Sequence, residues 1–156
     1  MPSSRARPSR RATSQLLNRL LQHFRAELMS HHDPEKFPGL RFPHLHVLGN
    51  IGRKGVRLTD VAERAQLGLA ACSELVNDLE SLGYIERRPD PSDGRAKLIF
   101  PTERGSDLLY SAADAVAETD RRWRMHVGAE RFDEVMSTLD ELLTALDGDA
   151  DARRLR

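Results

Sequence analysis

The chain has 156 residues, with 24 lysines and arginines against 24 aspartates and glutamates and a formal net charge of zero. That length suits one domain with short extensions, and a real hydrophobic core needs no staples at this size. The single cysteine, Cys72, excludes an internal disulfide and fits a reducing, cytoplasmic compartment; no run approaches the roughly 20 apolar residues of a membrane span.

Residues 1–12 are rich in Pro, Ser and Arg (Arg5, Arg7, Arg10, Arg11) and read as a disordered basic arm. The following Leu16, Leu17, Leu20 and Leu21 are interrupted by Arg19, Gln22 and His23, so no signal peptide is read. With Phe24 and Leu28 they form a helical stripe from about Ser14 to Ser30. His31-His32-Asp33-Pro34 stops that helix. A second begins with Pro43 in its first turn and is expected to run to Gly52. Gly52-Arg53-Lys54-Gly55 reads as a turn, and Thr59 as the N-cap of a short helix through Ala65. Gly68 caps the next helix, whose stripe is Cys72, Leu75, Val76, Leu79 and Leu82, and Gly83 ends it in a left-handed conformation.

After Gly83 the period shortens. Tyr84–Arg88 and Arg95–Phe100 read as two strands joined by a five-residue polar tip, Asp90-Pro91-Ser92-Asp93-Gly94. Thr102 then caps a long helix to about Met125. Gly128 opens a last one with Phe132, Val135, Met136, Leu139, Leu142, Leu143 and Leu146, expected to end at Asp147-Gly148.

The fold class expected is mostly α with a small β-wing: a winged helix–turn–helix with a helical dimerisation region. The divisions are an arm at 1–12, supporting helices at 13–52, the winged module at 53–101, C-terminal dimerisation helices at 102–148 and a charged tail at 149–156. Two short helices with a tight turn seat the second in the major groove of B-DNA, and the hairpin tip reaches the neighbouring minor groove. On the second helix Ala70, Ser73, Glu74, Asn77 and Ser81 share the outer face. Ser73 and Asn77 suit base edges, and Ala70 and Ala71 suit thymine methyls.

The segment Leu67–Gly105 resembles the core of the MarR family. The similarity lies in Leu79-Glu80 with Gly83, Glu86-Arg87-Arg88-Pro89, Asp93-Gly94-Arg95, Thr102 and Gly105. Leu40–Leu48 and Leu58-Thr59-Asp60-Val61-Ala62 are similar to the family's second and third helices. The resemblance implies a DNA-binding transcriptional regulator, expected to repress, that binds a palindrome of double-stranded DNA as a homodimer and answers to a small, often aromatic effector. It further implies that Asp93 braces the wing and Arg95 enters the minor groove. Arg87, Arg88 and Lys97 complete the expected DNA contacts, and His44, His46 and Tyr110 are candidates for the effector pocket. Two features depart from the family pattern: the apolar helix start Leu69-Ala70-Ala71 and the acidic Glu74. They shift the expected DNA contacts towards the wing and the basic arm.

No phosphate-binding glycine loop or catalytic motif occurs, so no enzyme and no cofactor are expected. His23, His31, His32, His44 and His46 do not form a ligand pattern, and no metal site is expected; His44 and His46, two apart, do not share a helix face. Two rival readings remain: a winged-helix protein–protein interaction module, and a redox sensor acting through Cys72.

Overall fold

The apolar periods fold as helices wherever a turn signal bounds them. The computed structural model describes residues 12–154. The Arg-rich arm at Arg5, Arg7, Arg10 and Arg11 lies outside the described residues. Six helices and two strands follow in order: α1 Thr13–Ser30, α2 Phe42–Leu48, α3 Leu58–Arg64, α4 Leu69–Ser81, β1 Ile85–Asp90, β2 Asp93–Pro101, α5 Glu103–Val127 and α6 Ala129–Arg154. The mostly helical, winged architecture expected from the sequence is what forms. No helix among the described residues is long and apolar enough to cross a membrane.

The chain divides into two units, one up to Val116 and one from Ala117 onward. The first holds the main core. Val47 and Leu48 of α2, Val61 of α3, Cys72, Val76 and Leu79 of α4, and Tyr84 and Ile99 of the hairpin are almost wholly buried together. Tyr84 also donates its hydroxyl hydrogen to the Pro38 carbonyl at 3.2 Å, so the buried phenol leaves no unpaired oxygen. In the second unit, Phe132 of α6 is buried beneath the Arg124 guanidinium, whose carbon lies 5.1 Å from the ring centroid, within reach of a cation–π attraction.

Several boundaries differ from expectation. Helix α3 starts two residues early, with Arg57 as its N-cap, and Thr59 points its hydroxyl at Asp60 instead of capping. Helix α2 stops at Leu48, before Gly52. The hairpin tip is shorter than five residues. Asp90 pairs with Asp93 as the last rung of the ladder, leaving Pro91 and Ser92 as the connection, with an irregularity between Pro89 and Asp90. Proline has no N–H to give a ladder, which is why the irregularity falls beside it. Val56 adds a third short segment by bridging Ile99. Helix α6 continues through Gly148 to Arg154, where a tail was expected.

Two glycines are dictated by geometry. Gly83 has φ +77°, the left-handed value that closes α4. Gly105 lies so close to the hairpin that a Cβ there would sit 1.9 Å from the Tyr84 carbonyl oxygen. Around this contact Thr102 Oγ1 accepts from the Gly105 N–H at 3.1 Å and donates to the Gly83 carbonyl at 2.7 Å, while Thr102 N–H donates to the Tyr84 carbonyl at 3.0 Å. Thr102 thus caps α5 and ties it to the end of α4, which explains why Gly83, Thr102 and Gly105 occur together.

Candidate nucleic-acid interface

The module offers two adjacent elements to a ligand: the outer face of α4 and the hairpin that follows it. On α4 the inward stripe is as expected, with Cys72, Val76 and Leu79 buried and Leu75 half-buried. The outer face carries exposed Ala70, Ala71, Glu74 and Asn77 and half-buried Ser73. Leu69, at the first turn, is 52% exposed. This apolar start gives α4 methyl groups but no cation at its leading end.

The hairpin supplies the cations. Arg95 and Lys97 are exposed on β2, and neither side chain has a partner among the described residues. Arg88 on β1 is also exposed; it pairs with Glu86 and lies 4.7 Å over the Phe100 ring. The backbone under Arg95 is fixed by Asp93, whose Oδ1 accepts from the Arg95 N–H at 3.1 Å. Asp93 therefore does brace the turn.

The main brace is a residue that the motif reading missed. Asp90 is buried, and its carboxylate accepts four hydrogen bonds. Ser92 N–H and hydroxyl reach Oδ1 at 2.8 and 2.7 Å, and Arg57 Nε and Nη2 reach Oδ2 at 3.1 and 2.6 Å. These bonds favour the ionised form, the Ser92 hydroxyl first and Arg57 next, and hold the Asp90 carboxyl down to about 2. Arg57 Nη2 also lies 3.8 Å from Asp93 Oδ2, so one guanidinium ties the start of α3 to both acids of the hairpin turn. The Asp–Pro–Ser sequence after Pro89 signals such an Asx turn. Its partner, 33 residues upstream, gives no local signal.

Arg87 is not where the sequence reading put it. Instead of meeting solvent or phosphates at the base of the wing, its half-buried side chain turns back onto α4. It pairs with Glu80 and donates through Nη2 to Asn77 Oδ1 at 2.8 Å. The two charges cancel locally, so Arg87 is corrected from a backbone contact to an internal support of α4.

The three residues expected to line an effector pocket do not come together. His44 is buried inside the α2–α4 contact: its Nδ1 accepts from the Arg41 N–H at 3.1 Å and its Nε2 lies 3.4 Å from Asp78 Oδ2. A backbone N–H only donates, so Nδ1 is the acceptor and a neutral ring carries its hydrogen on Nε2, towards Asp78; the Arg41 guanidinium, 3.2 Å from Nε2, donates to the same Asp78 Oδ2 at 2.7 Å. Burial pushes the His44 pKa down from its ordinary value, against the opposing pull of Asp78. His46 engages the Ala65 carbonyl through Nε2 at 2.8 Å. Tyr110 is 57% exposed and bonded to Arg53. The apolar crevice of this unit is lined instead by Leu28, His31, His32, Leu40, Leu45 and Ser111, and it has room for about one water molecule. Among the described residues no group of three or more His, Cys, Asp or Glu could hold a metal ion.

Cys72 is fully buried on α4, and that burial pushes its thiol pKa up. A sensing thiol needs the opposite, exposure and a lowered pKa, so the structure gives the redox reading no support.

Comparison with known proteins agrees with this architecture. Residues 39–96 match the model of the MarR family. The uncharacterized HTH-type transcriptional regulator YdcH of Bacillus subtilis (strain 168) is 32% identical over 83 residues, 53% of this chain and 55% of that one. The match thus spans about half the length of this curated relative. Among solved structures, the PcaV transcriptional regulator of Streptomyces coelicolor, in complex with its natural ligand, superposes with a TM-score of 0.68 at 20% identity, over 86% of this chain and 93% of that one. A mutant of S. aureus MepR bound to an oligodeoxyribonucleotide superposes at 0.57 and 21% identity, over 88% and 99%. Element order and the wing give the chain the winged helix–turn–helix fold of these solved structures, and the segment at residues 39–96 is similar to the MarR family.

Proposed function

We propose that this protein is a transcriptional regulator that binds double-stranded DNA as a homodimer, one winged module per half-site of a palindrome. The observation that carries this reading is the pairing of a braced turn with a free cation. Arg57, Asp90 and Asp93 fix the tip of the hairpin, and Arg95 leaves that turn exposed and without a partner among the described residues. An arginine held out on a rigid wing is suited to the negative potential of a narrow minor groove, while α4 occupies the adjacent major groove. Arg88 and Lys97 add phosphate contacts, and Ala70, Ala71, Ser73 and Asn77 face the base edges. The zero net charge is no obstacle, because the hairpin carries its own exposed cations, Arg88, Arg95 and Lys97.

The dimer is supported by two apolar stripes that this chain leaves uncovered. Leu16, Leu17, Leu20 and Leu21 of α1 are exposed, as are Val135, Met136, Leu139, Leu142, Leu143 and Leu146 of α6. Stripes of that size seek a partner, and a second copy presents the same faces. Binding to an operator in this form represses transcription by occupying it.

A small effector, aromatic in character, opposes DNA binding by entering the crevice at Leu28, His32, Leu40 and Leu45. Entry requires the crevice to open, and the cost is shared with the position of α2 and hence of α4. Coupling of this kind is reciprocal: DNA must weaken the effector as much as the effector weakens DNA.

The test is fluorescence anisotropy with a duplex from the region upstream of the protein's own gene, across a salt series. Binding should fall with salt, and Arg95→Ala should weaken it and make the salt slope shallower by about 1. Binding without a salt slope, or unchanged in Arg95→Ala, overturns the wing contact. A dimer that binds no duplex at low salt points to the protein–protein interaction module instead.

A further inference from the structure

We propose that Arg87 is a positioning residue for base readout: it holds Asn77 so that only the amide NH2 faces the DNA, which makes Asn77 a reader of guanine. This inference rests on the DNA-binding reading above and deepens it.

The argument starts from donors and acceptors. An asparagine with both ends free reads adenine, accepting from N6 and donating to N7. Asn77 does not have both ends free. Arg87 Nη2 lies 2.8 Å from it, and a guanidinium carries donors only, so the atom facing Arg87 must be the oxygen. The NH2 group is therefore the end left for a ligand. Asn77 is exposed on the same face of α4 as Ala70, Ser73 and Glu74.

Two hydrogens on one nitrogen suit an edge with two neighbouring acceptors. Guanine offers N7 and O6 in the major groove. Adenine offers N7 beside an N6 donor, which an NH2 group would leave without an acceptor. The preference is thus set from behind, by a residue that touches no base.

The device is also held in place. Glu80 binds the other arm of the Arg87 fork from one helical turn further along α4. Asn77 and Glu80 are three residues apart and share a face, while Arg87 reaches both from β1. A planar guanidinium fits that double engagement, because its fork geometry is rigid. With its charge matched by Glu80, Arg87 has little pull towards a phosphate. The same pair also makes the geometry of α4 and β1 interdependent, so the wing and the reading head are set together.

The experiment compares the parent with Asn77→Ala, Arg87→Gln and Arg87→Lys, each as the full chain, by selection from random duplexes. Anisotropy then measures each protein on duplexes that differ only at the position whose preference Asn77→Ala erases. The parent should favour guanine over adenine there by roughly ten-fold, the scale of one good base contact. Replacing that guanine by 7-deazaguanine should remove most of the advantage. Arg87→Lys should keep the preference, since an ammonium also only donates. Arg87→Gln should lose it or turn it to adenine, because a glutamine can donate to or accept from Asn77 and lets its amide turn over.

Guanine preference that persists in Arg87→Gln overturns the inference, as does a parent that prefers adenine. Asn77→Ala that erases no preference overturns it too. These results leave DNA binding itself intact. A parent that enriches no duplex at all is a different outcome, and it sinks the DNA-binding reading together with this one.

Discussion

Helices α4 and α6 have the same apolar periodicity in sequence and opposite fates in the folded chain. The stripe of α4, with Cys72, Val76 and Leu79, is sealed by α2, α3 and the hairpin. The stripe of α6, from Val135 to Leu146, stays exposed. The contrast teaches that periodicity announces a face to be covered without naming the cover. The winged module completes its core within one chain, with polar braces at its corners. The stripe of α6 has no such cover among the described residues, and the same holds for the leucines of α1.

The sharpest way to break this contrast is to damage the seam of the module. In Gly105→Ala the added methyl would meet the Tyr84 carbonyl oxygen at 1.9 Å, and backbone does not move aside cheaply. The expected loss is about 3 kcal/mol or more, beyond ordinary overpacking. Urea denaturation followed by circular dichroism measures it. A variant as stable as the parent would mean that the start of α5 can shift away from the hairpin without cost.

A matched pair of truncations then separates the two helices. Leu79→Ala, in the sealed stripe, should cost about 2–5 kcal/mol of stability. Leu142→Ala, exposed in one copy, should cost the module little and instead weaken assembly. Light scattering over a dilution series, read beside the denaturation midpoint, distinguishes the outcomes. If Leu142→Ala leaves the oligomeric state unchanged and the protein is a monomer throughout, the dimer reading fails.

The third effect is smaller and tests the α2–α4 contact. His44 is buried and neutral, with a pKa pushed below the ordinary 6.5. The folded state therefore resists the proton that the unfolded chain accepts. The stability this contributes is present above about pH 6.5 and is lost progressively as pH falls from there through the folded value. Protonation would also put a hydrogen on Nδ1 where the Arg41 N–H now points. Denaturation midpoints measured from about pH 7.5 to about pH 5 should fall, and the fall over this window should be shallower in His44→Gln. Equal slopes in both proteins would exclude His44 as the cause.

What the sequence made legible was local. Gly83 and Thr102 were readable because turns and caps have a fixed chemistry within a few residues, whereas Gly105 stood out only through the family resemblance, its reason being the Tyr84 carbonyl of another element. The exposed face of α4 followed from its period. The hairpin tip was misjudged because five turn-forming residues in a row do not say which two make the turn; the Asp90–Asp93 rung decides that. The rest was non-local. Asp90 depends on Arg57, 33 residues earlier, and Arg87 on where β1 leaves α4. His44 read as a pocket residue because nothing in its neighbourhood announces Asp78. Charged and polar side chains choose partners through the fold, so their roles are the last thing a single sequence yields.

The smallest effect concerns the turn between α3 and α4, where one residue departs from its preferred conformation. Gln66 has φ +54°, the only positive value at a non-glycine position among the described residues. The left-handed region costs an L-residue about 1–2 kcal/mol, and glycine escapes that cost. Two effects oppose the gain in Gln66→Gly. Glycine leaves more entropy in the unfolded chain, about 0.5–1 kcal/mol, and the Gln66 Nε2 bond to the Glu63 carbonyl at 3.2 Å is lost. That bond is exposed and contributes little. The net expectation is stabilisation by a few tenths to about 1 kcal/mol, read as a higher urea midpoint with an unchanged slope. Because the turn lies wholly within the sealed module, assembly through the outer helices should not respond. A lower midpoint would mean that Gln66 is held by more than its one bond, and a changed oligomeric state would mean that the module and the outer helices are not independent after all.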